Sequence, residues 1–346
     1  MFRIREAARE DNDALLQLEA VSPQGTGISI VIDRDDYFYR SQLHENSRVL
    51  IAEEDTKLVG IMAYAIKEVF VNGERERAAY FYDLRGEASY RRSMKRGLFR
   101  LWRTALQGME EAGASFIYGQ VKADNNDSMN ISTKVGARPI SSFDILSLPS
   151  LRGQAPDLDP HLDALDEEVE RLSSFVGERN LKPCDFHAPY IRGAELGYLR
   201  GIFRIERGDS MAQVSAWDLT NIYRGRVLRM PLSLRMLAGV LNPLSTILPV
   251  PRIPRVGDQV KYLQLFDPVC RGKKGTKLLK DLIQQLQQVA YSDGIDILTL
   301  FVYTDDPLAR TPRFFPEKVL HYNTMARPLC GTELPKPPLY LDIRDI

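Results

Sequence analysis

Cysteine is scarce: Cys184, Cys270 and Cys330 are the only three in 346 residues, far apart and odd in number. No C-x-x-C pair occurs, so a zinc ribbon or dithiol redox motif is excluded. The odd number and wide spacing of the cysteines argue against a disulfide framework, which fits a reducing cytoplasm. Histidine is equally thin. His44, His161, His187 and His321 lie scattered without ligand spacing, so no metal is expected. Net charge is also lacking, since 46 basic residues balance 46 acidic ones. That argues against a surface built throughout to hold nucleic acid. Long apolar runs are missing. The most apolar stretch, 237–250, contains Asn242, Pro243 and Pro249 and is too interrupted to span a bilayer. It is expected to be a buried or partner-facing segment, with no membrane partner. The N-terminus, MFRIREAARED, is charged from its third residue and has no apolar core for a signal peptide. A cytoplasmic location is expected.

What is present is ordinary for a folded protein: 44% apolar and 27% charged residues. The length fits two domains better than one. The first half alternates. Residues 2–5 read as a strand, 10–19 as a helix with Asp11 at its start, and 34–44 as a second helix. Strands follow at 48–53 and 58–71, then an Asn72-Gly73 hairpin signal and a strand over 75–85. A helix over 92–112 carries Leu98, Phe99, Leu101, Trp102, Leu106 and Met109 at helical spacing. A strand over 115–121, a helix over 126–135 and a strand over 137–148 complete the half. Hairpins followed by crossovers imply an α/β chain with a mixed sheet and helices on its faces.

A Pro- and Asp-rich linker (GQAPDLDP, 153–160) and a helical pattern over 162–175 follow. The second half has strand patterns at 195–206, 212–219 and 223–230 and a helix over 232–241. A proline-broken connector, a strand over 261–267, a helix over 276–291 and a strand over 295–303 complete it. Its order of strand, basic Gly-containing turn, helix, strand repeats that of 80–121, so two copies of one fold are expected. We divide the chain into 1–150, a linker and helix at 151–185, and a more divergent 186–346.

Two strand-to-helix turns carry the chemistry. From Arg91 to Arg103 the first holds Arg91, Arg92, Lys95, Arg96, Arg100 and Arg103 and no acid. The second, 266–279, holds Arg271, Lys273, Lys274 and Lys277 with Gly272 and Gly275. A helix N-terminus offers free N–H groups and partial positive charge to an anion, and basic side chains deepen that field. Glycine lets the backbone approach a phosphate closely.

At this point the chain resembles the GCN5-related N-acetyltransferase (GNAT) superfamily. The residues Leu84-Arg85-Gly86-Glu87-Ala88-Ser89-Tyr90-Arg91 resemble the L-x-V-x-P-x-Y-R part of its pyrophosphate-binding pattern. Leu265-Phe266-Asp267-Pro268-Val269-Cys270-Arg271-Gly272 resembles it too, and keeps the proline. The segment NNDSMNISTKVGA matches a downstream family helix at Asn125, Ser128, Lys134 and Gly136. The resemblance implies two tandem acyl-CoA N-acyltransferase (GNAT-like) domains. It implies acetyl-CoA or another acyl-CoA as co-substrate and an amine on a small molecule or peptide as acceptor. Its co-substrate contacts would come from Leu84, Arg85, Gly86, Arg91, Arg92, Ser93, Met94, Lys95, Arg96, Gly97, Asn125 and Ser128. In the second half they would come from Phe266, Arg271, Gly272, Lys273, Lys274, Gly275 and Thr276. Amine deprotonation needs a carboxylate. Asp83 and Glu87 are the candidates in the first half, Asp267 and Asp218 in the second. The family's general-acid tyrosine falls at Ser132. Met94, Arg96 and Lys274 stand where the pattern has glycine. Two other readings therefore stand beside catalysis. One is a CoA-binding or scaffolding protein with degenerate acid–base groups. The other is an aminoacyl-tRNA-dependent transferase whose basic helix 91–103 faces RNA. The sequence gives no sign of oligomeric state.

Overall fold

The computed structural model describes residues 2–21, 28–44, 46–55, 57–86, 94–304 and 318–345. The first half runs β1 (Phe2–Glu6), α1 (Asn12–Ala20), β2 (Ser29–Asp33), β3 (Ser47–Glu54), β4 (Lys57–Val71), β5 (Glu74–Gly86), α2 (Met94–Glu111), β6 (Phe116–Lys122), α3 (Asn126–Lys134) and β7 (Arg138–Pro149). The second runs α4 (Leu165–Val176), α5 (Ala188–Glu195), β8 (Leu199–Arg207), β9 (Ser210–Asp218), β10 (Arg224–Arg229) and α6 (Leu232–Ser245). It continues through β11 (Gln259–Val260), β12 (Tyr262–Arg271), α7 (Gly275–Ser292), β13 (Ile297–Tyr303) and β14 (Lys318–Pro328).

Local chemistry explains most of these elements. Asn72 and Gly73 both take positive φ, +53° and +83°, as a two-residue turn between right-twisted strands requires. In α2, Leu101, Ala105 and Met109 recur every four residues and are fully buried, while Arg103 and Thr104 face water. The segment expected as a helix at 34–44 is instead a short 3-10 stretch, Tyr37–Gln42, kinked at Phe38. Its aromatic residues favour burial over helix: Tyr37 and Tyr39 point inward, and the Arg34 guanidinium lies over both rings.

Eleven strands form one sheet in the order β1-β3-β4-β5-β6-β14-β7-β13-β12-β9-β8. Its centre is an exchange. The last strand of the second half, β14, pairs with β6 of the first, and the last strand of the first half, β7, pairs with β13 of the second. β14 and β7 pair with each other, joining the two halves by backbone hydrogen bonds with one register shift between Thr324 and Met325. β2, β10 and β11 make a separate three-stranded sheet. Sequence periodicity found β10 as a strand but could not reveal its partner, β2, which lies in the other half.

Helices α2 and α7 cover one face of the large sheet. Leu101 and Met109 of α2 pack with Met62 and Tyr64 of β4, and Leu282 and Leu286 of α7 with Leu265 of β12 and Leu298 of β13. The opposite face carries a core shared by both halves, from Leu15 and Ile61 through Phe143 to Trp217 and Phe301. The final residues run across that face, with Leu339, Leu341 and Ile343 buried in it. Residues 180–184 tie this tail to β4: Leu181 donates to the Phe70 carbonyl and Tyr340 to that of Asn180.

The exchange gives a direct expectation. Residues 1–150 produced alone would leave β6 and β7 with unpaired edges and the shared core uncovered. They should show no cooperative thermal transition by circular dichroism, and co-production with 151–346 should restore one. A cooperative transition of 1–150 alone would contradict the exchange as a stabilising element.

Candidate active site

The site begins where two parallel strands part. β5 and β6 pair at Ala78–Phe116, Ala79–Ile117 and Tyr80–Tyr118 and no further, although β5 continues to Gly86 and β6 to Lys122. Beyond Tyr80 and Tyr118 the facing backbone groups of the two strands do not pair with each other. Gly119 lies at the fork. A Cβ there would come within 2.7 Å of the Phe81 carbonyl oxygen, so only glycine lets the strands approach this closely before they diverge.

β5 also bulges at this level. Asp83 and Leu84 together oppose Met62 of β4, and Asp83 has φ of +52°. The bulge turns Asp83 into a buried charge cluster. Tyr37 Oη donates to Asp83 Oδ2 (3.2 Å), and Arg85 donates to Oδ1 (3.1 Å). Arg85 also pairs with Glu19 at 2.8 Å, and Arg34 pairs with Glu19 and lies 3.6 Å from Asp83. Two carboxylates meet two guanidiniums, which is how buried charges are tolerated. Beside the cluster, Glu6, Arg9, Tyr37, Phe38, Ser47 and Tyr82 help line a cavity of about 200 Å³. Burial and the neighbouring Asp83 raise the Tyr37 phenol well above its usual range, so it stays protonated.

A second network sits at the parting point. Lys67 on β4 pairs with Asp342 (2.6 Å) and Asp345 (2.8 Å), all three buried. Tyr118 Oη donates to Asp345 (2.8 Å), and Tyr80 donates to its backbone carbonyl. Arg344 pairs with Asp342 and Asp185, and its carbonyl meets His44 Nε2 at 3.0 Å. Burial opposes charge on Asp342, but Arg344 and Lys67 outweigh it and hold this carboxyl well below its usual range. Asp345 goes the other way: burial, with Asp342 nearby, raises it. Burial and the adjacent cations keep His44 neutral.

The second half repeats the geometry. β12 and β13 pair from Tyr262–Ile297 to Leu265–Leu300 and then part. Asp267 and Pro268 together oppose Val214, and Asp267 again has φ of +52°. Here the fork is filled. Phe266 stacks on Phe301 with centroids 4.3 Å apart. Tyr190 and Tyr340 donate to Asp267, whose carboxyl burial pushes up to about 6. The following turn is occupied as well. Lys274 N–H donates to Ser210 Oγ (3.2 Å), a Cβ on Gly272 would lie 2.5 Å from that hydroxyl, and Arg271 lies 4.1 Å over Phe175.

Of the residues singled out from the sequence, Glu87, Arg91, Arg92 and Ser93 lie outside the described residues, as do the side chains of Met94, Lys95 and Arg96. Asp83, Leu84, Arg85 and Gly86 lie on the parted end of β5; Leu84 packs toward α2, while Arg85 is committed to Glu19 and Asp83. Gly97 is where α2 crosses β1, since a Cβ would strike the Phe2 ring at 2.6 Å. Asn125 caps α3, its side chain accepting from Ser128 N–H at 3.1 Å, and Ser132 lies half-buried on the same helix. Lys273, Lys274 and Thr276 are exposed at the start of α7, where Gly275 is buried. Asp218 ends β9, its side chain accepting from Thr220 N–H. Sequence reading missed Glu19, Arg34, Lys67, Asp342 and Asp345. Lys67 was the readable signal: a lone cation inside the apolar run of β4 needs a buried partner.

Comparison with known proteins follows the same geometry. The profile of the acetyltransferase (GNAT) domain matches residues 3–121, which contain the bulge and the parted strands. That match lies within the first half of the chain. No curated protein matches it by sequence. Two structures of Saccharomyces cerevisiae N-myristoyltransferase share the fold across both halves. One, with bound myristoyl-CoA and inhibitors, has TM-score 0.62 at 10% identity, covering 100% of this chain and 83% of that one. The other, with bound myristoyl-CoA, has TM-score 0.59 at 10% identity, covering 99% and 82%. Eis1 from Mycobacterium abscessus is a looser likeness, with TM-score 0.47 at 13% identity over 95% and 73%. No helix among the described residues is long and apolar enough to cross a membrane, and no metal-binding cluster occurs among them.

The Asp267 carboxyl gives a pH prediction. Its folded pKa is raised from 3.8 to about 6. Between these values the folded chain keeps a proton that the unfolded chain has lost, so this group's contribution falls as pH rises through that window. Asp267→Asn removes the titration. Its Tm relative to wild type should therefore be more favourable at pH 7 than at pH 4. An unchanged difference, by calorimetry at both pH values, would contradict the assignment.

Proposed function

We propose that this protein is an acyl-CoA-dependent N-acyltransferase whose first half, residues 1–150, holds the thioester. In this reading residues 186–346 are a second GNAT-like unit and 151–185 the connection. The parted β5–β6 edge beside the Asp83 bulge carries the proposal. It offers backbone groups that β5 and β6 do not pair with each other to a thioester arm, and the N-terminus of α2, with Lys95, Arg96 and Gly97, is the candidate for the diphosphate. The second-half fork holds Phe266, Phe301 and Tyr340, and its turn is capped by Ser210, which favours the first half as the ligand-binding one.

The chemistry needs few groups. An amine enters the cavity beside Tyr37 and Tyr82 and attacks the thioester carbonyl carbon. A β5 N–H stabilises the oxyanion, the C–S bond breaks, and the thiolate takes a proton as the amine loses one. Asp83 is held by Arg85 and Tyr37, so its part is to fix the bulge rather than to remove the proton; Glu87 stands as the base and Ser132 as the acid. A cavity of about 200 Å³ suits a small primary amine or one peptide terminus better than a bulky acceptor. Acetyl-CoA is the donor the sequence resemblance favours, with longer acyl-CoAs as the alternative.

Acetyl-CoA, octanoyl-CoA and CoA in excess should raise the Tm of the full chain. A hundredfold excess over Kd corresponds to about 2.7 kcal/mol. Lys95→Gln with Arg96→Gln should weaken that binding about tenfold, by removing charge-assisted contacts. Lys273→Gln with Lys274→Gln should leave it unchanged. Thiol release with an amine panel then reads catalysis. Binding without release would favour the CoA-binding reading, and no shift with any of the three would overturn both.

A further inference from the structure

Helix α6 shows an apolar stripe to water. Ala238 and Ser245 face the protein, while Leu232, Met236, Val240 and Leu244 recur every four residues on the outside and are 71%, 69%, 60% and 40% exposed. Ile247, Leu248, Leu228 and Val256 extend the patch, at 74%, 46%, 44% and 46% exposed. An exposed apolar stripe of this size ordinarily meets a partner or lipid, and α6, with 14 residues, is too short to span a bilayer.

The surrounding charge identifies the occupant. Residues 220–257 contain six arginines, at 224, 226, 229, 235, 252 and 255, and no aspartate, glutamate or lysine. Arg224 and Arg226 pair with Asp35 and Asp33 of β2's neighbourhood. Arg229, Arg235 and Arg255 are exposed and have no carboxylate partner among the described residues; Arg235 Nε donates to the Met230 carbonyl. A two-fold interface with a second copy would bring these arginines together with no carboxylate from the segment to meet them. Nucleic acid would satisfy the arginines and leave the apolar face wet. An anionic lipid surface meets both demands, taking the apolar side chains below its headgroups and the guanidiniums at its phosphates.

We propose that α6 and its connector dock the protein on anionic lipid bilayers as an interfacial element. This departs from the expectation of no membrane partner, which rested on the segment's inability to span. It is independent of the acyltransferase reading.

Flotation of the full chain with vesicles tests it. The protein should float with 1:1 phosphatidylglycerol–phosphatidylcholine vesicles and stay at the bottom with phosphatidylcholine alone. Arg229→Gln, Arg235→Gln and Arg255→Gln together should weaken partitioning about a hundredfold, roughly fivefold per arginine. Met236→Ser with Val240→Ser should abolish flotation, while circular dichroism and Tm stay as in wild type because both side chains are exposed. Equal binding to neutral vesicles, or no flotation, would overturn the proposal. So would a stable dimer by light scattering that Met236→Ser with Val240→Ser dissociates in a protein that does not float.

Discussion

The structure depends on the antiparallel pairing of β14 with β7 at the centre of the eleven-stranded sheet. Each strand ends one half of the chain and is built into the edge of the other. The parallel pairs β5–β6 and β12–β13 are thereby held at fixed places on either side of the centre. Each pair can then part beyond its last shared hydrogen bonds without the sheet coming apart. A fork in a parallel pair is costly in an isolated small sheet, because it leaves backbone groups unpaired. Here the flanking antiparallel strands carry the load.

The same arrangement separates the two forks. Both have a bulge with an aspartate at φ of +52°. In the first, that aspartate is taken up by Arg34, Arg85 and Tyr37, and a cavity lies alongside. In the second, aromatic rings and tail residues occupy the corresponding space. The tail thus serves both halves: Tyr340 helps close the second fork, and Asp342 and Asp345 neutralise Lys67 beneath the first. Breaking one partner of that buried network would strand an uncompensated charge.

Local signals made much of the fold legible. The Asn72-Gly73 turn, the spacing of α2 and the apolar run of β13 each state their structure within a few residues. The duplication was readable from the two basic turns. The exchange was not, because hydrophobic alternation gives a strand's faces but not its neighbour, and β14 lies far in sequence from β6. Site residues divide the same way. Asp83 and Asp267 were singled out as candidate bases, and the structure places each on a bulge inside its strand. Asn125 and Ser128 matched a family spacing, and the structure shows that spacing to be a helix cap. Glu19, Arg34 and Asp345 come from distant segments and become partners only on folding. The stretch at 237–250 was read as a buried or partner-facing segment, and its periodicity alone could not show that the apolar face of α6 points outward.

The central claim is that the first fork is the one that takes the thioester. Hydrogen exchange with and without acetyl-CoA measures this residue by residue. The account predicts slowed exchange at 81–86, 94–98 and 119–122, with the second fork, 266–276, unchanged. Protection confined to 266–276, or none at either fork at saturating ligand, would contradict it.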